Sequence, residues 1–231
     1  MALREKRHDR IAALAKVNHH VILIRETGNP IEMPWIHDVE GVMEAWYPGA
    51  AGGQAIARLL YGDANPSGHL PMTFPRTVTQ TAHPDIAGVN ARSAFDVQFH
   101  TDQELFYDEG SEVGYRWFDR QHLKPLFPFG FGLSYSKFGL SDFQLHPGPK
   151  NLSVSFTVTN TSPREGAIVP QIYVTLPTGG RPSPAGRQRN ALASGNNRTV
   201  TLAPAPRILP NSDASPDCWA GPVGAFSACL P

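Results

Sequence analysis

Several carboxylates stand where this sequence could do chemistry. Glu26 follows an apolar run, Val21-Ile22-Leu23-Ile24, that reads as a buried parallel strand. Active sites of α/β sheets gather where such strands end. Glu32 comes next on the same loop, and Asp38 and Glu40 open residues 36–46. There Val39, Val42, Met43 and Trp46 recur at helical spacing, which predicts a helix. An aspartate at its start reads most simply as a dipole partner. Asp108 and Glu109 sit beside Tyr107, ahead of an aromatic-rich segment at 113–118 that reads as extended. Aromatic faces beside carboxylates suit sugar binding. Neighbours on a strand point to opposite faces, however, so this adjacent pair would not act on one bond. Glu109 and Glu26 are the candidate catalytic residues, and neither has an evident partner carboxylate.

Other motifs carry less. Gly49-Ala50-Ala51-Gly52-Gly53 precedes a predicted helix at 54–60 but lacks the spacing of a dinucleotide loop, so tight packing is the simpler reading. Gly132-Leu133-Ser134-Tyr135-Ser136 lacks the last glycine of a nucleophile elbow. His19 and His20 are adjacent, a poor geometry for one metal ion. No cofactor or metal site is expected. Asn151, Asn160 and Asn197 each begin a glycosylation sequon, which has meaning only on a secretory route.

The elements that must position these groups fit in 231 residues, enough for one large or two ordinary domains. Twenty basic side chains balance 20 acidic ones, which argues against nucleic acid or an anionic membrane as the main partner. An apolar content of 41% suits a globular protein, and 22 prolines with 21 glycines predict many loops and short strands. Cys218 and Cys229 could pair across a terminal hairpin, but two buried free thiols are the preferred reading. No apolar run approaches the ~18 residues of a membrane span. The charged N-terminus lacks the apolar core of a secretory signal, leaving the cytoplasm as the default expectation.

In chain order, residues 1–18 read as an amphipathic helix whose basic residues form a solvated face. Thr27 to Pro34 is turn-rich, and 70–74 is short and extended. Residues 76–105 lack periodicity and read as a long loop. Residues 126–129 read as extended. Pro147-Gly148-Pro149 marks an expected boundary between an α/β part, 1–146, and an all-β part, 147–231. Beyond it Leu152, Val154, Phe156 and Val158 alternate with polar residues; further strands are expected at 168–176, 199–202 and 224–230. Such spacing predicts an all-β sandwich.

One set of motifs spans most of residues 20–140. It runs from Thr27-Gly28-Asn29-Pro30 and Met33-Pro34-Trp35 through Ala45-Trp46-Tyr47-Pro48-Gly49 and Leu59-Leu60-Tyr61-Gly62-Asp63 to Asn65-Pro66-Ser67-Gly68 and Thr73-Phe74-Pro75. Glu109-Gly110, Val113-Gly114-Tyr115-Arg116-Trp117 and Phe129-Gly130 follow in order. The whole resembles the C-terminal α/β domain of glycoside hydrolase family 3, the β-glucosidase family. Residues 155–161 and 198–202 resemble the fibronectin type III-like domain that often ends its members.

The resemblance implies hydrolysis of terminal β-D-glucosyl residues in a glucoside or oligosaccharide. Retaining hydrolysis needs two carboxyl groups about 5–5.5 Å apart. In the family the nucleophile lies in an N-terminal barrel and the acid/base upstream of the Thr27-Gly28-Asn29-Pro30 motif, so the resemblance implies that neither is here. A barrel from another chain, or a homo-oligomer, is then the implied partner. Glu109 carries over only as part of its motif, supporting a loop. Arg25 and Phe131 depart from the family pattern, the latter where histidine is common. A non-catalytic module binding sugar or protein is the alternative, and an incomplete reading frame with no independent role is a third.

Overall fold

A computed structural model describes residues 5–84, 106–147, 152–175, 182–203, 211–212, 219–220 and 227–229. Two compact units emerge: residues 1–61 with 70–131, and residues 62–69 with 132–231. The division therefore falls at Phe131/Gly132, not at Pro147. Pro147 ends a strand, β3 (Phe138–Pro147), that pairs with the next one.

The first unit opens with α1 (Glu5–Val17), as the amphipathic pattern predicts. β1 (Ile22–Arg25) follows, and β2 (Gly41–Glu44) pairs with it in parallel, Ile22 opposite Gly41 and Arg25 opposite Glu44. The helix expected over 36–46 is absent. A turn in which Ile36 N–H reaches Met33 O and Asp38 N–H reaches Trp35 O leads instead into β2. The reason is tertiary: β1 offers an open row of backbone groups, and pairing with it outweighs a period read over four apolar residues. The expected burial of β1 also fails, since Ile22 is 52% and Ile24 40% exposed. Its inward residues are Leu23, which packs on the core, and Arg25, which is buried.

That core centres on Met33, Trp35 and Phe74. Phe74 lies edge-on to Trp46 and Phe127. Residues 70–74, expected to be extended, bend at 71–72 and form one bridge, Phe74 with Phe127; Leu70 and Phe74 N–H donate to Phe131 and Phe127 O. Phe131, out of place by family pattern, stacks on Phe127 at 4.8 Å. α2 (Gly52–Leu60) matches its expected position. Gly52 is buried, and a Cβ there would stand 2.6 Å from Pro48, so this glycine serves packing. The described start of the expected long loop holds a 3-10 turn, Val78–Gln80; residues 85–105 lie outside the described set. Residues 113–118 are not extended. Gly114, at φ +58, turns the chain into α3 (Tyr115–Arg120), which buries Phe118.

In the second unit β4 (Leu152–Asn160) buries every second residue, as the alternation requires. It lies between β3 and β9 (Asn197–Leu202), both antiparallel. The strand expected over 168–176 is two: β5 (Gly166–Ile168) and β6 (Gln171–Thr175), interrupted at Pro170, which has no N–H to give a ladder. β5 pairs with β8 (Asn190–Leu192), while β6 lies between β7 (Ser183–Arg187) and β12 (Ser227–Cys229). Two short strands, β10 (Asn211–Ser212) and β11 (Trp219–Ala220), pair with each other. One core receives Val154, Phe156 and Val158 from β4, Ile172 and Val174 from β6, Ala185 from β7, and Val200 and Leu202 from β9. Cys218 lies outside the described residues. Among the described residues no helix is long and apolar enough to cross a membrane.

Phe156 is fully buried at the centre of that core. Phe156→Ala should lower stability by about 3–5 kcal/mol in urea unfolding, through lost transfer energy and the cavity left behind.

Candidate functional site

Carboxylates come out of water at two places in the first unit. The first is the carboxyl end of the parallel pair. Arg25 and Glu44 face each other in register, Nη2 to Oε2 at 3.2 Å, with side chains 6% and 9% exposed. Arg25 Nη1 reaches Met33 Sδ, Nη2 donates to Thr27 Oγ1, and the guanidinium lies 5.6 Å from the Phe74 ring centre. Burial lowers the Arg25 pKa, while Glu44 opposes that shift. Glu44 Oε1 accepts from Thr27 Oγ1 and from Trp46 N–H. One carboxylate therefore ties down both loops that leave the sheet. The strand alternation that turns Arg25 inward leaves Glu26 exposed.

The second place is a turn, Tyr107 to Gly110, closed by Gly110 N–H on Tyr107 O with Gly110 at φ +58. It puts Asp108 in solvent and buries Glu109. His83 Nε2 meets Glu109 Oε1 at 2.9 Å and Oε2 at 2.8 Å, and the imidazole lies edge-on to Tyr107. An ionised carboxylate only accepts, so this nitrogen carries the proton. The Glu109 pKa lies below the usual carboxylate range: its own backbone N–H is the main cause and His83 adds to it, against the opposing effect of burial. Trp117 Nε1 donates to Gln80 O, Gln80 Nε2 to Lys124 O, and Val78 N–H to Glu32 Oε1 at 2.6 Å. Glu109 thus anchors residues 76–84 against the segment that carries α3.

The remaining candidates separate from these. Asp38 is exposed and stands at no helix start. Glu40 pairs with His20 on the surface at 3.2 Å. Among the described residues no three His, Cys, Asp or Glu side chains are grouped to hold a metal ion. Sequence reasoning missed Glu44 and His83. Glu44 was hidden inside a stretch read as helix. His83 lies 26 residues from its partner, with no local signal.

In the second unit the two polar motifs hold each other. Asn65 Oδ1 accepts from Ser134 Oγ and Tyr135 N–H, both at 2.9 Å, and Asn65 Nδ2 donates to Ser136 Oγ and Glu165 O. Ser136 Oγ donates on to Arg164 O. These serines help to hold the turn. Asn160, first of its sequon, is fully buried and donates to Arg164 O and Leu192 O, so no glycan can reach it. Asn197 is exposed, and Asn151 lies outside the described residues.

Glu44→Gln should destabilise the chain by about 3–5 kcal/mol in urea unfolding, because it strands a buried guanidinium. Glu109 has a lowered folded pKa, so its contribution is present above the unfolded value of about 4.3 and is lost as pH falls through the folded value. An acid titration followed by NMR of the Trp117 indole N–H, which donates to Gln80 O, should show this transition, and Glu109→Gln should remove it.

The Glycosyl hydrolase family 3 C-terminal domain matches residues 1–135. A Beta-glucosidase of Rhizobium radiobacter is 37% identical over 233 residues, covering 98% of this chain and 28% of the relative. Thermostable beta-glucosidase B of Acetivibrio thermocellus is 36% identical over 178 residues, covering 75% of this chain and 22% of the relative. Among solved structures, DesR, a β-glucosidase from Streptomyces venezuelae in complex with D-glucose, is similar with a TM-score of 0.87 and 35% identity, over 100% of this chain and 29% of that one. The chain thus spans under a third of the length of these relatives. With that domain matched over residues 1–135 of 231, the chain belongs to glycosyl hydrolase family 3.

Proposed function

We propose that this chain serves a β-glucosidase-type hydrolase acting on terminal β-D-glucosyl residues, as its C-terminal scaffold and not as the bearer of its catalytic pair. The nucleophile and acid/base come from elsewhere, in a barrel domain of the kind the family resemblance implies. The observation that carries this reading is the commitment of the withdrawn carboxylates. Glu44 faces Arg25, and Glu109 faces His83. A general acid must be protonated near neutral pH, and a Glu109 carboxyl held below the usual range is not. Glu26 is exposed.

The second unit, in this reading, is a fibronectin type III-like sandwich. Its support is the pair of three-stranded sheets, β3-β4-β9 and β12-β6-β7, feeding a single core. A non-catalytic module that binds sugar or protein is the second reading, favoured by Tyr47 and Tyr107 standing largely in solvent.

A chimera tests the proposal. Residues 1–231 replace the matching quarter of the Rhizobium radiobacter relative. The expected result is hydrolysis of an aryl β-glucoside within about tenfold of the parent kcat/KM, a loss of no more than ~1.4 kcal/mol of transition-state stabilisation. A folded chimera with no activity contradicts the proposal and favours the binding module.

A further inference from the structure

At the carboxyl end of β1 and β2 one large aromatic is held still in open solvent. Tyr47 is 82% exposed, yet its position is fixed from two sides. Behind it Trp46 adopts φ +53, a left-handed conformation that a bulky side chain rarely takes. The Trp46 N–H is bonded to Glu44, and its ring lies 6.1 Å from Phe74 and edge-on to it. Such strain persists only where the surroundings impose it, and it gathers at functional sites. Beside Tyr47 the phenol lies directly on the Gly28 backbone. A Cβ at Gly28 would collide with the Tyr47 hydroxyl and come within 3.0 Å of Cζ.

The residues flanking Gly28 are polar. Glu26 and Asn29, two residues before and one after Gly28, are both exposed. Thr27 Oγ1, bonded to both Asn29 O and Glu44 Oε1, fixes the loop between them. Parallel sheets present ligands at this end of their strands. An exposed aromatic seated on Gly28, with a carboxylate residue and an amide residue flanking that glycine in sequence, suits a pyranose, which offers an apolar C–H face and a ring of hydroxyls. A rigid ring also loses little conformational entropy on contact.

We propose that Tyr47 is a stacking platform for a glucopyranoside, with Glu26 and Asn29 as hydrogen-bonding partners for its hydroxyls. Arg25, Glu44 and Trp46 position the platform without touching the sugar. The assignment rests on the glucoside-directed reading above, but its test is separate, because it needs no turnover. The 231-residue chain is titrated with methyl β-D-glucopyranoside and with cellobiose, and backbone amide shifts are followed by NMR. Weak, saturable binding in the range of about 1–10 mM is expected. The shifts should centre on residues 26–29 and 47. Tyr47→Ala should weaken binding at least tenfold and Tyr47→Phe should keep it; an exposed side chain makes either change compatible with folding. Absence of saturable shifts, or shifts unchanged in Tyr47→Ala, overturns the platform. An active chimera with no sugar binding by the chain would remove the platform while leaving the broader function in place.

Discussion

Among the described residues, the buried Arg25 and Glu109 each meet a partner able to bond their charge. Burying an unpaired carboxylate or guanidinium would cost more than a domain of this size has to spare. Glu44 and Arg25 answer each other across two parallel strands, and Glu109 answers His83 across two loops. Each pair then does a second job. Glu44 also holds Thr27 and Trp46, and so fixes both loops at one end of the sheet. Glu109 gathers the chain around α3. Both pairs are thereby bound into the framework.

The second unit solves the same problem with neutral groups. Asn65 satisfies backbone and hydroxyl partners at the Ser134–Ser136 turn, and Asn160 does so at the turn after β4. An amide offers donors and acceptors together, so one residue can close a turn from both sides. Gly166 belongs to this arrangement: a Cβ there would press on Ser136 Oγ at 2.7 Å and Asn65 Nδ2 at 2.8 Å. The glycine, proline and asparagine motifs that identify the family therefore mark backbone joints.

Legibility followed locality. The alternation of Leu152, Val154, Phe156 and Val158 announced β4, because each residue's burial is set by its own strand. α1 and α2 were legible from their periods and flanking residues. β2 was not, since four residues carry too little period and its partner lies nineteen residues away. Short aromatic α3 read as extended for the same reason. Glu109 was visible through its motif, but its role needed His83, which no local pattern indicates. Arg25 looked misplaced in sequence, because the glutamate that accommodates it stood in a stretch read as helix. The expected boundary motif begins at Pro147, the last residue of β3.

In the proposed reading these residues build surfaces and fix loops, and the facing acid groups that bond cleavage requires come from elsewhere. The most direct test is steady-state hydrolysis of 4-nitrophenyl β-D-glucoside by the purified chain alone. The account predicts no turnover above the buffer rate. Turnover within the ordinary enzymatic range of about 1–10³ s⁻¹, abolished by Glu109→Gln or Glu26→Gln with the fold intact, would contradict it.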